Sequence, residues 1–205
     1  MGAAGSADGL GPLSRQQVRD TFQVLMPALG SFLDDVRVVG TASSALRGID
    51  LTVGDIDVLA RNRSTVDAIA AAWTADGWAC VRAPELLTGD GLDQYFASFD
   101  VLGAMIEIST VEGASQPGDL AECVGAAPWI HFDTVMVDDQ AIAVVASELR
   151  LKSEIIRGRR ERWEPIAAHM SETGFNQRLL SAVVNTLPPG LQRLVATAFQ
   201  ETSLA

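Results

Sequence analysis

Two aspartates, Asp55 and Asp57, stand inside an otherwise apolar segment, Asp55-Ile56-Asp57-Val58-Leu59. In an extended strand, residues two apart share a face. Both carboxylates then project together, while Ile56 and Val58 turn toward the core. Adjacent carboxylates repel, and burying them without a partner is costly. A divalent cation removes that cost: Mg²⁺ takes oxygen ligands and is commonly held by one or two carboxylates plus substrate phosphates. An exposed strand end would tolerate the same Asp-x-Asp without any chemistry.

The preceding segment adds a second signal. An apolar run, Val36 to Val39 interrupted by Arg37, stops at Gly40 and is followed by Thr41-Ala42-Ser43-Ser44. A strand that ends in Gly and leads into a helix offers backbone N–H groups to an anion, and Thr41, Ser43 and Ser44 add hydroxyls. Asp55 follows fifteen residues after Gly40, enough for a short helix, a loop and entry into a neighbouring strand. A phosphate cradle and a metal pair would then lie side by side at two adjacent strand ends. No Gly-Lys-Ser/Thr follows, so this is not a P-loop. Taken alone, the segment is equally an ordinary helix entry.

Gly40-Thr41, a short helical stretch and then Asp55-Ile56-Asp57 resemble the signature of the nucleotidyltransferase superfamily with the DNA polymerase β-like fold. The nearest flavour is that of the small bacterial aminoglycoside and lincosamide nucleotidyltransferases. Thr41 stands where Ser or Gly is usual and keeps a hydroxyl. The resemblance covers roughly Val36 to Arg162. It implies a third carboxylate on a later strand, for which Glu107 in Met105-Ile106-Glu107-Ile108-Ser109 is the candidate, as metal ligand or as the base that activates an acceptor hydroxyl. It also implies a lysine near the start of the first C-terminal helix that helps with nucleotide phosphates, a place Lys152 fills. Arg157-Gly158-Arg159-Arg160-Glu161-Arg162 matches the family's later Arg-x-Lys-Asp segment only loosely.

The function so implied is Mg²⁺-dependent transfer of a nucleoside monophosphate from a nucleoside triphosphate, ATP by preference, to an acceptor hydroxyl, with release of pyrophosphate. Asp55, Asp57 and Glu107 would be the catalytic and metal-holding residues. Gly40, Thr41, Ser43, Ser44 and Lys152 would bind the nucleotide. The alternative is a non-catalytic protein on the same fold, regulatory, antitoxin-like or nucleotide-binding.

Composition bounds these readings. The 205 residues allow one domain with a small appendage, and 48% apolar residues suffice for a substantial core. Residues 1–13 read as a disordered leader, 14–146 as an α/β domain and 147–205 as a helical region. No apolar run is long enough for a membrane span, and with no export signal the cytoplasm is the expected compartment. Cys80 and Cys123 sit in unrelated contexts and suggest neither disulfide nor zinc site, and His131 and His169 are far apart. The net charge of −11 argues against non-specific coating of nucleic acid, and the expected acceptor is a small molecule rather than tRNA or a protein. Six of the fifteen Lys and Arg residues nevertheless fall between Arg150 and Arg162.

The elements that must position these residues follow from periodicity and turn chemistry. Ser14 to Gln17 reads as a capping box that opens a helix ending near Gly30. Val36 to Val39 and Asp55 to Ala60 read as strands, with a short helix from Ala42 to Arg47 between them. Ser64 is the expected cap of a helix through Asp76. Trp78 to Arg82 reads as a strand, Pro84 to Gly91 as a loop, and Tyr95 to Val101 with Met105 to Thr110 as a hairpin. A further hairpin, Ile130 to Val137 with Ala141 to Val145, turns at Asp138-Asp139. Four helices follow: Glu148 to Arg157, Glu161 to Ser171, Asn176 to Thr186 and Leu191 to Thr202. The expected class is α/β of the α+β kind: a mixed, partly antiparallel sheet flanked by helices, with a C-terminal helical segment.

Overall fold

A computed structural model describes residues 11–202 apart from 90, 114 and 117. The expected leader, up to residue 10, lies outside the described residues. Seven strands form one mixed sheet: β1 (Val36–Val39), β2 (Ile56–Ala60), β3 (Ala79–Gly89), β4 (Leu92–Val101), β5 (Ala104–Gly113), β6 (Phe132–Val137) and β7 (Gln140–Val145). Their order is β3-β4-β5-β2-β1-β7-β6. Strand β2 runs antiparallel to β1 and parallel to β5, while β1 runs parallel to β7.

One face of the sheet is covered by α1 (Arg15–Leu29), α2 (Gly40–Leu46) and α3 (Arg63–Ala75). The capping box forms as expected, with Ser14 and Gln17 bonded to each other's backbone, and Gly30 closes the helix. Val18, Phe22, Leu25 and Leu29 on α1 pack with Val36, Val38, Ile56, Val58, Ile106 and Ile108 in the largest core cluster. Trp73 of α3 joins them, its ring edge-on to Phe99 at 5.3 Å.

The opposite face carries Val39, Leu59 and Val145, covered by Leu149 of α5 (Ser147–Ile156) and by Leu179 and Val183 of α7 (Gln177–Asn185). A short helix, α4 (Ala127–Ile130), contributes Ala127 there. A separate cluster joins Leu151 and Ile155 of α5 to α6 (Arg160–Thr173) and to Val195 of α8 (Pro189–Thr202). The C-terminal segment therefore covers the sheet's second face through α5 and α7 while keeping a core of its own.

Two local expectations change. The cap of α3 is Asn62, whose Oδ1 accepts the Thr65 N–H at 3.0 Å; Ser64 donates its hydroxyl to the same oxygen. Asn62 lies three residues before the orphan N–H, the distance a capping side chain spans. The stretch expected as a loop, Pro84 to Gly91, is largely strand: β3 runs on to Gly89, which pairs with Leu92. Pro84 is tolerated because β3 is an edge strand, and the register shifts between Arg82 and Glu85 beside it.

Candidate functional site

Strand register decides which carboxylates meet. On β2, Asp57 lies opposite Val39 of β1 and opposite Glu107 of β5. Ile56 and Val58 alternate with it and are fully buried in the main core, so Asp57 points to the other face. The same alternation places Glu107 between the buried Ile106 and Ile108. The two acids thus sit side by side on adjacent parallel strands. Asp55 precedes β2 and is exposed; its charge nonetheless raises the pKa of both Asp57 and Glu107.

Strand β1 ends against this pair. Gly40 takes φ +64°, a left-handed conformation that favours glycine. A Cβ added there would lie 2.2 Å from Asp57 Oδ2. Glycine is therefore required twice, for the backbone turn and for the approach of the carboxylate. The Gly40 N–H donates to Glu122 Oε1 at 2.9 Å. Glu122 comes from the irregular segment between β5 and α4, and its other oxygen accepts from Arg150 Nη1 at 2.9 Å. Arg150 also pairs with Glu154 through Nη2, and all three side chains are almost fully buried.

These groups line a cavity of about 450 Å³ whose walls include Gly40, Asp57, Gln94, Glu107, Glu122 and Arg150. Leu87 and Leu92, from the β3–β4 hairpin, form an apolar rim, and Arg157 closes another side. Burial, helped by the charges of Asp55, Glu107 and Glu122, pushes the Asp57 carboxyl from 3.8 up to about 7. Burial and Asp55 also push Glu107 upward, against a hydrogen bond from Gln94 Nε2 to its Oε1. Half-buried Cys123, beside Glu122, has its thiol pushed well above the usual range by desolvation.

The other sequence candidates lie elsewhere. Thr41, Ser43 and Ser44 are buried within α2. Ser43 Oγ donates back to the Gly40 carbonyl at 2.8 Å, and none of the three lines the cavity. Lys152 Nζ donates to the Leu120 carbonyl at 2.8 Å and also stays outside the cavity. Glu122 was not a sequence candidate. It falls in a Gly- and Pro-containing stretch without periodicity, so nothing local marked it. Arg150 and Glu154 carried a signal in their four-residue spacing, which allows the helical ion pair that forms.

The donor set suits a hard cation. Asp57 and Glu107 present oxygen atoms only, and burial followed by neighbouring carboxylates raises both pKa values, so each ionised form lacks full compensation from the protein. Among the described residues, no salt bridge reaches Asp55, Asp57 or Glu107. Nor does any group of three or more His, Cys, Asp and Glu side chains among them form a ready metal cage. The pair would hold Mg²⁺ in the manner that leaves most of its coordination to water and substrate phosphates.

No protein-family profile matches the sequence, and a search of curated proteins finds no match. Solved structures do resemble the fold. A protein of Thermotoga maritima assigned as a nucleotidyltransferase aligns with a TM-score of 0.53 at 18% identity, over 75% of this chain and 94% of its own. An antigenic nucleotidyltransferase-like protein of Paracoccidioides brasiliensis gives 0.47 at 16% identity, over 93% of this chain and 88% of its own. An assigned nucleotidyltransferase of Helicobacter pylori gives 0.45 at 10% identity, over 92% and 94%. The likeness at these identities is one of fold, and it rests on the first: this chain has a general nucleotidyltransferase fold.

Proposed function

We propose that the chain is a Mg²⁺-dependent nucleotidyltransferase that takes a nucleoside triphosphate, ATP first among candidates, as donor. One observation carries this reading: Asp57 and Glu107 lie opposite each other on parallel β2 and β5, and the Gly40 turn touches Asp57. Asp57 and Glu107 would hold the metal, and the exposed Asp55 would add its charge to theirs. Bound there, Mg²⁺ would neutralise charge on the phosphates and polarise the transferring phosphoryl group. Glu107 has a raised pKa and is oriented by Gln94. In this reading it would accept the proton of an acceptor hydroxyl attacking the α-phosphorus. The apolar rim of Leu87 and Leu92 would exclude water from the reacting groups and seat an apolar surface of donor or acceptor.

The acceptor is proposed to be a small molecule. The cavity walls are too acidic to favour a nucleic-acid backbone, and an aminoglycoside- or lincosamide-type hydroxyl compound is the first class to screen. The test is calorimetric titration of ATP with and without Mg²⁺, followed by a pyrophosphate-release screen. The reading expects Mg²⁺-dependent ATP binding that Asp57→Ala abolishes. Full Mg²⁺-dependent binding and transfer by Asp57→Ala would refute it.

A second reading is a non-catalytic nucleotide-binding or regulatory protein on this fold. It is favoured by Glu122, whose carboxylate already holds the Gly40 amide. Nucleotide binding without pyrophosphate release across a broad acceptor screen would select it.

A further inference from the structure

The cavity's charge balance points to a role for Glu122 that rests on the nucleotide reading above. Four carboxylates, Asp57, Glu107, Glu122 and Glu154, face or adjoin two guanidiniums, Arg150 and Arg157. Arg157 is over half exposed, with one loose contact to Glu154 at 3.6 Å. Arg150 is the deep cation: 2% exposed, it lines the cavity and is clasped between Glu122 and Glu154. Its Nε is buried without a hydrogen-bond partner. Glu122 therefore occupies the two donors in the floor that would otherwise meet an anion, the Arg150 guanidinium and the Gly40 amide.

We propose that Glu122 is a specificity residue that makes polyphosphate binding depend on the metal. With Glu122 clasping Arg150, a metal-free polyphosphate meets acids that repel it and a buried arginine already neutralised. A metal-complexed triphosphate arrives with its charge reduced and is drawn to Asp57 and Glu107 instead. Glu122 also draws the segment from which it projects onto the sheet, and Lys152 bonds that segment at Leu120. The ion-pair geometry and the reach of the segment are thus set together.

The test uses inorganic tripolyphosphate as probe in EDTA, followed by calorimetry, on the full wild-type chain and on Glu122→Gln. Glutamine keeps an oxygen for the Gly40 N–H and removes the negative charge that Glu122 sets against Arg150, which stays charged and retains Glu154. The expected result is a gain of about tenfold or more in metal-free affinity for Glu122→Gln, weakened by added salt. Mg²⁺·ATP binding is the parallel arm. Equal metal-free affinities in the two chains, with Mg²⁺·ATP bound by both, would overturn the role of Glu122 and leave the nucleotide reading standing. Failure of both chains to bind either ligand would overturn both. A measurement on the wild type alone guards against a variant that fails to fold. The Gly40 amide resonance should stay in place on adding tripolyphosphate in EDTA and shift with Mg²⁺·ATP. A shift with metal-free tripolyphosphate would refute the proposal.

Discussion

Replacing Asp57 by Asn should stabilise the metal-free protein, and by an amount that depends on pH. The Asp57 carboxyl rises from 3.8 in the unfolded chain to about 7 in the fold. At about 1.4 kcal/mol per pH unit of displacement, that is roughly 4 kcal/mol against the ionised folded form. The side chain opens onto a cavity, and solvent there reduces the effect to about 2 kcal/mol. The sign follows from proton counts. Between pH 4 and 7 the folded state holds a proton that the unfolded state has lost, so stability falls as pH rises through that window and then levels off. Asn carries no such charge. The variant should therefore melt with wild type near pH 3.5 and about 4–8 °C above it at pH 8, followed by circular dichroism in EDTA. Saturating Mg²⁺ should narrow the gap at pH 8 by stabilising wild type alone. Equal melting at pH 8, or an advantage unchanged at pH 3.5, would refute the buried-charge account.

Three further outcomes can be checked directly. Gly40→Ala forces a Cβ to 2.2 Å from Asp57 Oδ2 in a backbone held at φ +64°. It should cost about 1–3 kcal/mol in urea unfolding. In a double-mutant cycle Gly40→Ala should cost about 1 kcal/mol less in the Asp57→Ala background than in wild type, a coupling that additive behaviour would disprove. Mg²⁺ affinity should rise with pH up to about 7, where Asp57 loses its proton, with proton release visible as a buffer-dependent heat; Glu107→Gln should weaken binding and reduce the slope. Lys152→Met should leave Mg²⁺·ATP affinity unchanged, because Nζ is bonded to the Leu120 carbonyl outside the cavity; a large loss would return Lys152 to the phosphate site.

What the sequence made legible was whatever depends on neighbours along the chain. The Ser14–Gln17 box and Gly30 bound α1 as expected, because caps are local hydrogen bonds. Leu102 and Gly103, both with positive φ, turn β4 into β5. The alternation around Asp57 and Glu107 announced two acids on the outer face of buried strands. The strand through Pro84 was hidden because proline speaks against a central strand, and only the sheet order shows β3 to be an edge. Glu122 was hidden for a different reason. Its partners, Gly40 and Arg150, lie 82 and 28 residues away, and a contact of that range leaves no periodic trace in an irregular segment.

The site's geometry is tied to the core by strand register. Asp57 meets Glu107 because Ile56 meets Ile106 and Val58 meets Ile108 across the same parallel pair. Those four apolar side chains are fully buried in the main cluster. A slip of β2 by one residue would turn Asp57 into that cluster and bring Ile56 and Val58 out to the cavity. Burying the carboxylate among Phe99, Ile106 and Trp73 would cost several kcal/mol, more than an alternative pairing returns. The same hydrophobic preference that builds the sheet therefore fixes the acids beside each other. The burial of Asp57, together with the charges of Asp55 and Glu107 beside it, is then built into the fold rather than relieved by local rearrangement, which is why its carboxyl is pushed up to about 7 in the metal-free protein.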